Sequence, residues 1–406
     1  MVLFLIHYLK TAWDLKIPAV FLYSSTRILL AALTSLLLSL FLGPFFIRKL
    51  YALKIGQSIR KEECPLLGQL HEKKQNTPTM GGILILFSML VSLFLWMDLT
   101  HIFTLFLLFT TLFLGLIGGR DDYLKLKYKN SKGMSGRKKL LFQGILSGLV
   151  ALYFFSPLSH LLENGMWFRK PVVKEFVSIK AEEGGAAAPL QLSLKEYAGR
   201  VYVPFFKEPV LIFKGMFLLF ACGFIFFVIT GASNAANLTD GLDGLAAGSL
   251  ILIVIPLAIF AFVSNHLEIA RYLNILYIEG SGEIAIYLAA LAGACLGFLW
   301  YNGHPAQVFM GDTGSLPLGG IIGVSAVLLK RELLLGLVAG IFVAEALSVI
   351  LQVLSYRYRG KKRIFLCTPL HHHFEYKGWP ETKVVIRFWI IGLLLAIVGI
   401  ASLKFQ

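Results

Sequence analysis

The chain has 406 residues, 57% of them hydrophobic and only 15% charged. Soluble domains typically carry about 25% charged and about 45–50% apolar residues, so a water-soluble globule would have to hide nearly all of this apolar material in one core, and a membrane fold is expected instead. The formal net charge is +15, yet the basic residues lie between the apolar runs, so topology and anionic partners account for them and no nucleic-acid partner is expected.

Met1 to Lys10 is apolar but short and is not followed by a small-residue cleavage site, which points to an interfacial or re-entrant lead-in rather than a removed signal. Ten candidate spans follow, at about 28–47, 80–97, 101–118, 140–158, 210–231, 242–264, 283–300, 316–329, 333–354 and 384–403. Most approach the ~20 residues that cross the hydrocarbon layer, and backbone in lipid must satisfy its own polar groups, so the runs read as helices. The span 316–329 is short and Gly-rich, and is expected to start deeper or to be irregular. The fold class is therefore an all-α polytopic membrane protein of about ten transmembrane helices, a single integral membrane domain over 1–406.

An even number of spans puts both termini on one side. The Lys- and Arg-rich loops 48–79, 119–139 and 355–383 alternate with loops that hold little charge, so these three are cytoplasmic and both termini lie outside, in the periplasm. Two more loops, 232–241 and 301–315, fall on the inner side without Lys or Arg and are rich in Asn, Asp, Gly and Thr, which suits a site. The one long outer loop, 159–209, reads as a surface elaboration that ends in an alternating segment near Val203.

Of seven Asp, five fall in or beside inner segments: Asp121, Asp122, Asp240, Asp243 and Asp312. Single carboxylates collect at helix ends, but five on one face among Gly and Asn point to a site, because ionisable groups at membrane depth are costly. The adjacent Asp121 and Asp122 repel unless a cation or proton lies between them. One of them could bind a metal while the other accepts a proton or holds a phosphate. In Asn234-Ala-Ala-Asn237-Leu-Thr-Asp240-Gly-Leu-Asp243, the two Asp share a face on a helical turn, and Asn and Asp can read a base or ribose. The run Val308-Phe309-Met-Gly-Asp312-Thr-Gly opens a span. Gly permits close backbone approach, a helix N-terminus favours phosphate, Asp312 can bind metal and Phe309 can stack on a base. Lys74, ahead of Thr77-Pro-Thr79-Met-Gly-Gly, can meet a phosphate. His371, His372 and His373 splay in different directions on any regular backbone and cannot readily share one metal. Hydrogen bonds to a sugar phosphate or acyl group are expected of them, with one His free for a structural part. Cys64, Cys222, Cys295 and Cys367 have neither disulfide nor zinc spacing. A transporter would bury charge near the midplane; the span interiors here are nearly charge-free, with Glu345 the main exception.

Together these motifs resemble the polyprenyl-phosphate N-acetylhexosamine-1-phosphate transferases over roughly 25–155 and 210–405. The Asp-Asp pair and the Asn/Asp loop fit the superfamily at large. Asn76-Thr-Pro-Thr-Met-Gly-Gly82 and His371-His-His-Phe-Glu375 fit its muramoyl-pentapeptide branch, against a branch that uses UDP-GlcNAc. The resemblance implies transfer of phospho-MurNAc-pentapeptide from UDP-MurNAc-pentapeptide to undecaprenyl phosphate, giving lipid I and UMP in the bacterial plasma membrane. It also implies Mg2+, a homodimer and an active site at the cytoplasmic face. By matched position, Asp121, Asp122, Asp312 and His371 would be catalytic, with Asp312 the principal and Asp122 the second metal ligand. Lys74, Thr79, Lys125 and Lys129 would hold phosphates. Asn234, Asn237, Asp240, Asp243, Asn302 and Phe309 would line the nucleoside and sugar-phosphate pocket, and His372 and His373 would complete the site.

Overall fold

In the computed structural model, residues 18–53, 77–128, 133–155, 171–177 and 188–404 are described, with Ile6, Tyr8, Leu9, Ala12 and Trp13 ahead of them. The N-terminal lead-in and the basic loop 54–76 lie largely or wholly outside the described residues. The chain opens with α1 (Ser24–Ala52), α2 (Gly82–Trp96), α3 (Ile102–Lys127) and α4 (Gly136–Phe155). A small mixed segment holds β1 (Val173–Val177), β2 (Ala188–Leu192), α5 (Leu194–Ala198), β3 (Arg200–Val201) and β4 (Leu211–Ile212). Then come α6 (Leu218–Thr239), α7 (Leu245–Ser264), α8 (Leu267–Tyr272), β5 (Tyr277–Ile278) and α9 (Ser281–Asn302). The chain closes with α10 (Asp312–Leu329), α11 (Glu332–Val338), α12 (Gly340–Tyr358), α13 (Leu370–Tyr376) and α14 (Glu381–Ala401).

Among the described residues, nine helices are long and apolar enough to cross a membrane: α1, α3, α4, α6 with the turn ahead of it, α7, α9, α10, α12 and α14. The expected span at 80–97 is α2, whose 15 residues cover about 23 Å at 1.5 Å per residue. The boundaries differ from expectation in an ordered way. α3 continues nine residues past the expected 118, and α6 runs through Thr239, so most of the expected loop 232–241 is helix. The expected span 333–354 is two helices that break at Ala339. The expected span at 210 begins with β4 and a turn, because the continuous helix starts only at Leu218.

The short Gly-rich span is neither irregular nor peripheral. All 18 residues of α10 are buried, and it sits between α2, α3 and α6. Its glycines make that possible: a Cβ on Gly320 would lie 2.2 Å from Leu114 Cδ1 of α3, and one on Gly319 2.6 Å from the Ala232 carbonyl of α6. Helix pairs in lipid gain from such close approach because no hydrophobic drive separates lipid tails from apolar side chains. The α1–α9 contact works the same way. α1 buries Ala31, Ser35, Ser39 and Gly43 at four-residue spacing, and α9 presents Gly293 and Gly297 to that stripe.

The strands lie at the opposite end of the bundle from the C-termini of α3, α6 and α9. β1 pairs antiparallel with β2 (Val173 opposite Leu192) and with β5 (Val173 opposite Ile278). This segment is tied to the buried end of α10. Lys330 donates from Nζ to the Ala198 carbonyl at 3.1 Å and to Glu332 Oε1 at 2.5 Å, and Tyr197 donates to the Leu328 carbonyl. The alternating segment expected near Val203 is thus a fixed cap.

Candidate active site

The site is built where the polar last turns of α3 and α6 meet the first turn of α10. Gly118 lets α3 touch α10, since a Cβ there would lie 2.1 Å from the Asp312 carbonyl oxygen. Gly311 enters α10 at φ 71°, a region that glycine occupies without strain, and a Cβ on it would meet Asp122 Oδ2 at 2.7 Å and Thr79 Oγ1 at 2.8 Å. Segment 78–82 pairs with 309–310: the Phe309 N–H donates to the Pro78 carbonyl at 2.8 Å, and the Gly81 N–H to the Phe309 carbonyl at 2.8 Å.

Asp121, Asp122 and Asp312 are all buried, and one ligand oxygen from each lies within 4.8 Å of the others. Asp122 accepts from the Asp312 N–H at 3.2 Å, the Thr313 N–H at 2.8 Å and the Thr313 hydroxyl at 2.7 Å. It caps α10 from a neighbouring helix, satisfying donors that the helix cannot satisfy itself. Asp121 Oδ1 accepts from the Met134 N–H at 2.5 Å, and Oδ2 lies 2.7 Å from Lys125 Nζ and 3.0 Å from Lys139 Nζ. Asp312 Oδ1 takes Asn237 Nδ2 at 2.9 Å and Lys125 Nζ at 3.0 Å, and its Oδ2 takes Lys139 Nζ at 2.5 Å. Three carboxyl groups thus share two ammonium groups beside a helix N-terminus.

Asp240, at the C-terminus of α6, accepts from the Gly311 N–H at 3.1 Å. Burial, followed by the nearby carboxylates of Asp312 and Asp122, pushes its carboxyl up to about 7. The donor set suits a hard cation, because magnesium takes one or two protein carboxylates plus phosphate oxygens. Asp121 Oδ2 also fits such an ion, being buried with ion contacts but no directed hydrogen bond.

The other expected site residues fall into four groups. Asp243 accepts from the His304 ring at 3.0 Å and the Ala306 N–H at 3.1 Å, with Glu381 alongside. Asn302 ties this corner together: Oδ1 accepts from the Gly244 N–H at 3.1 Å, and Nδ2 donates to the Val308 carbonyl at 2.8 Å. Asn234 faces α4, donating to Gln143 Oε1 at 2.8 Å, one turn from Asn237. On α13, His371 is fully buried against Gly241, His372 pairs with Glu375 Oε2 at 2.7 Å, and His373 Nδ1 accepts from the Leu366 N–H at 3.1 Å. Lys74 and Lys129 lie outside the described residues. Sequence reasoning passed over Lys139, Thr313, His304 and Glu381. Lys139 carries no distinguishing signal, being the last of the basic run Arg137-Lys-Lys139, which marks topology equally well.

Known families extend this geometry. Residues 104–330 match the model of glycosyl transferase family 4, and residues 74–86 match signature 1 of the phospho-N-acetylmuramoyl-pentapeptide-transferases. The phospho-N-acetylmuramoyl-pentapeptide-transferase of Protochlamydia amoebophila is 73% identical over the full length of both chains. Those of Desulfotalea psychrophila and Dichelobacter nodosus are 45% and 44% identical, each over 95% of this chain and at least 94% of their own. The chain belongs to the phospho-N-acetylmuramoyl-pentapeptide-transferase family. It is a transferase and a multi-pass protein of the bacterial cytoplasmic membrane. The glycosyl transferase match spans Asp121 through Asp312 and therefore the whole carboxylate cluster, and the transferase signature covers Lys74 and Thr79. The His371–His373 run lies beyond both matched segments.

Proposed function

We infer that the chain transfers phospho-MurNAc-pentapeptide from UDP-MurNAc-pentapeptide to undecaprenyl phosphate, giving lipid I and UMP for peptidoglycan synthesis. The observation that carries this reading is the buried triad Asp121, Asp122 and Asp312, within 4.8 Å, flanked by Lys125 and Lys139 at the N-terminus of α10. Phosphoryl transfer between two anions is limited mainly by their repulsion, so a site needs positive charge and fixed geometry more than a strong base.

In this reading Asp312 and Asp122 hold Mg2+, which supplies charge neutralisation at the diphosphate. Lys125 and Lys139 leave the carboxylates to face phosphate oxygens, and Lys74, Thr79 and Lys129 hold further phosphate. Asp121 orients or deprotonates the lipid phosphate, whose oxygen attacks the β-phosphorus as UMP leaves. A phosphate monoester has a second pKa near ~6, so little base strength is required at neutral pH. Asn237, Asp240 and Asp243, with Asn234, Asn302 and Phe309, surround the nucleoside and sugar phosphate. His371 meets the transferred group, with His372 and His373 beside it. The single membrane domain holds both termini outside, the carboxylates at the cytoplasmic face, and pairs with a second copy.

The test is UMP release by the detergent-purified protein with undecaprenyl phosphate, Mg2+ and either UDP-MurNAc-pentapeptide or UDP-GlcNAc. Release with the muramoyl donor alone, abolished by EDTA and by Asp312→Asn, is expected. Release with UDP-GlcNAc instead would overturn the substrate, and release that survives EDTA would overturn the metal.

A further inference from the structure

Glu345 is the charge that stands out in a span interior, and it is fully buried on α12. A carboxylate at that depth is costly unless it is engaged. Both of its oxygens accept from the His371 N–H, at 3.2 and 3.4 Å, so Glu345 caps the first turn of α13. Its Oε1 also lies 3.2 Å from His371 Nδ1. The cap needs only the backbone contact; the ring contact is additional.

The other edge of the ring is equally fixed. A Cβ on Gly241 would lie 2.3 Å from His371 Nε2, so only glycine lets the ring reach the turn between Asp240 and Asp243. The ring is fully buried; among the described residues Nε2 has no hydrogen-bond partner, and Nδ1 has the ion-pair contact with Glu345 but no directed hydrogen bond. His372, whose ring centroid is 4.1 Å away, engages its own carboxylate, Glu375, at 2.7 Å. Glu345 is therefore the carboxylate that faces the His371 ring.

We propose that Glu345 is the positioning residue that keeps the His371 proton on Nδ1 and turns the Nε2 lone pair toward the Asp240–Asp243 turn; this rests on the reading of His371 as part of the transfer site. Which ring nitrogen carries the proton is set by what the other faces, and a carboxylate behind a functional imidazole fixes both tautomer and direction.

The test is a double-mutant cycle on the full-length protein, followed by UMP release and thermal unfolding in detergent. Glu345→Gln keeps an acceptor for the backbone cap but removes the carboxylate from Nδ1. It should lower kcat by about 10–100-fold, the usual cost of losing such a partner. KM for both substrates should change by less than about twofold, because the loss falls on the transition state. In a His371→Ala background, Glu345→Gln should cost nothing further, since the ring it orients is gone. Glu345→Asp keeps the carboxylate and should show a smaller loss that also vanishes in that background; it carries the cycle if Glu345→Gln does not fold. Wild-type kcat in Glu345→Gln, or an equal fold-loss in both backgrounds, would overturn the proposal and leave only the cap. Wild-type kcat in His371→Ala alone would remove the reading of His371 and this inference with it, a result distinct from a His371-dependent enzyme indifferent to Glu345.

Discussion

Lys139 touches both Asp121 and Asp312 while sitting on α4, a helix that brings no carboxylate to the cluster. Its two neighbours in the basic run, Arg137 and Lys138, are exposed. Lys139→Gln should therefore lower turnover by about 10²-fold, the scale of losing one preorganised charge from a phosphate site. Lys138→Gln should leave turnover within about twofold, since exposed charges remote from the chemistry contribute little. Initial rates of UMP release check the pair; equal effects would mean that Lys139 serves topology alone. This contrast also marks what could be read from residues by themselves. The five inner Asp were legible because a carboxylate beside an apolar run is expensive and needs a reason. Lys139 was not, because positive charge at that position already has one. Glu345 was visible as an oddity, but its partner His371 is 26 residues away and only the fold joins them.

At the scale of elements, apolar runs located the long apolar helices but missed where α3 and α6 stop. Hydropathy sees the part of a helix that faces lipid or core, and both helices carry their polar last turns into the site. Asp121, Asp122, Lys125 and Asn237 are therefore helical residues held at fixed spacing. That rigidity depends on how closely α3 lies against α10. Gly118→Ala would place a methyl 2.1 Å from the Asp312 carbonyl oxygen, which is backbone and cannot swing away. It should cost about 1–3 kcal/mol, the range for overpacking, and displace the carboxylate above it. Gly148→Ala on α4 has open space around the new methyl and should cost nothing, as alanine is the better helix former. Thermal midpoints in detergent, read with UMP release, separate the two. A neutral Gly118→Ala would mean that the helices can part without harm to the site.

For the whole molecule, the capped end and the carboxylate end lie on opposite sides of the bundle, so orientation is open to a direct test. With the native cysteines replaced, Gln191→Cys on the strand segment should react with a membrane-impermeant maleimide in cells whose outer membrane alone is opened. Arg359→Cys, at the end of α12, should react only after the inner membrane is breached. The reverse pattern would turn the protein over and place the site outside. The strand segment itself was the least legible part of the chain, because β1 pairs with β5 about a hundred residues away and nothing local announces that partner.

The enclosure of α10 bears on how the enzyme meets membranes of different thickness. α10 is sheathed by protein along its whole length, whereas α1 and α14 leave large apolar side chains exposed around the rim. A bilayer that thins or thickens acts first on lipid-facing helices, which answer by tilting. Asp312 rides on the helix that the lipids do not touch. Changes in acyl-chain length should therefore be absorbed at the periphery, leaving the spacing of the three carboxylates insulated from the composition of the membrane around them.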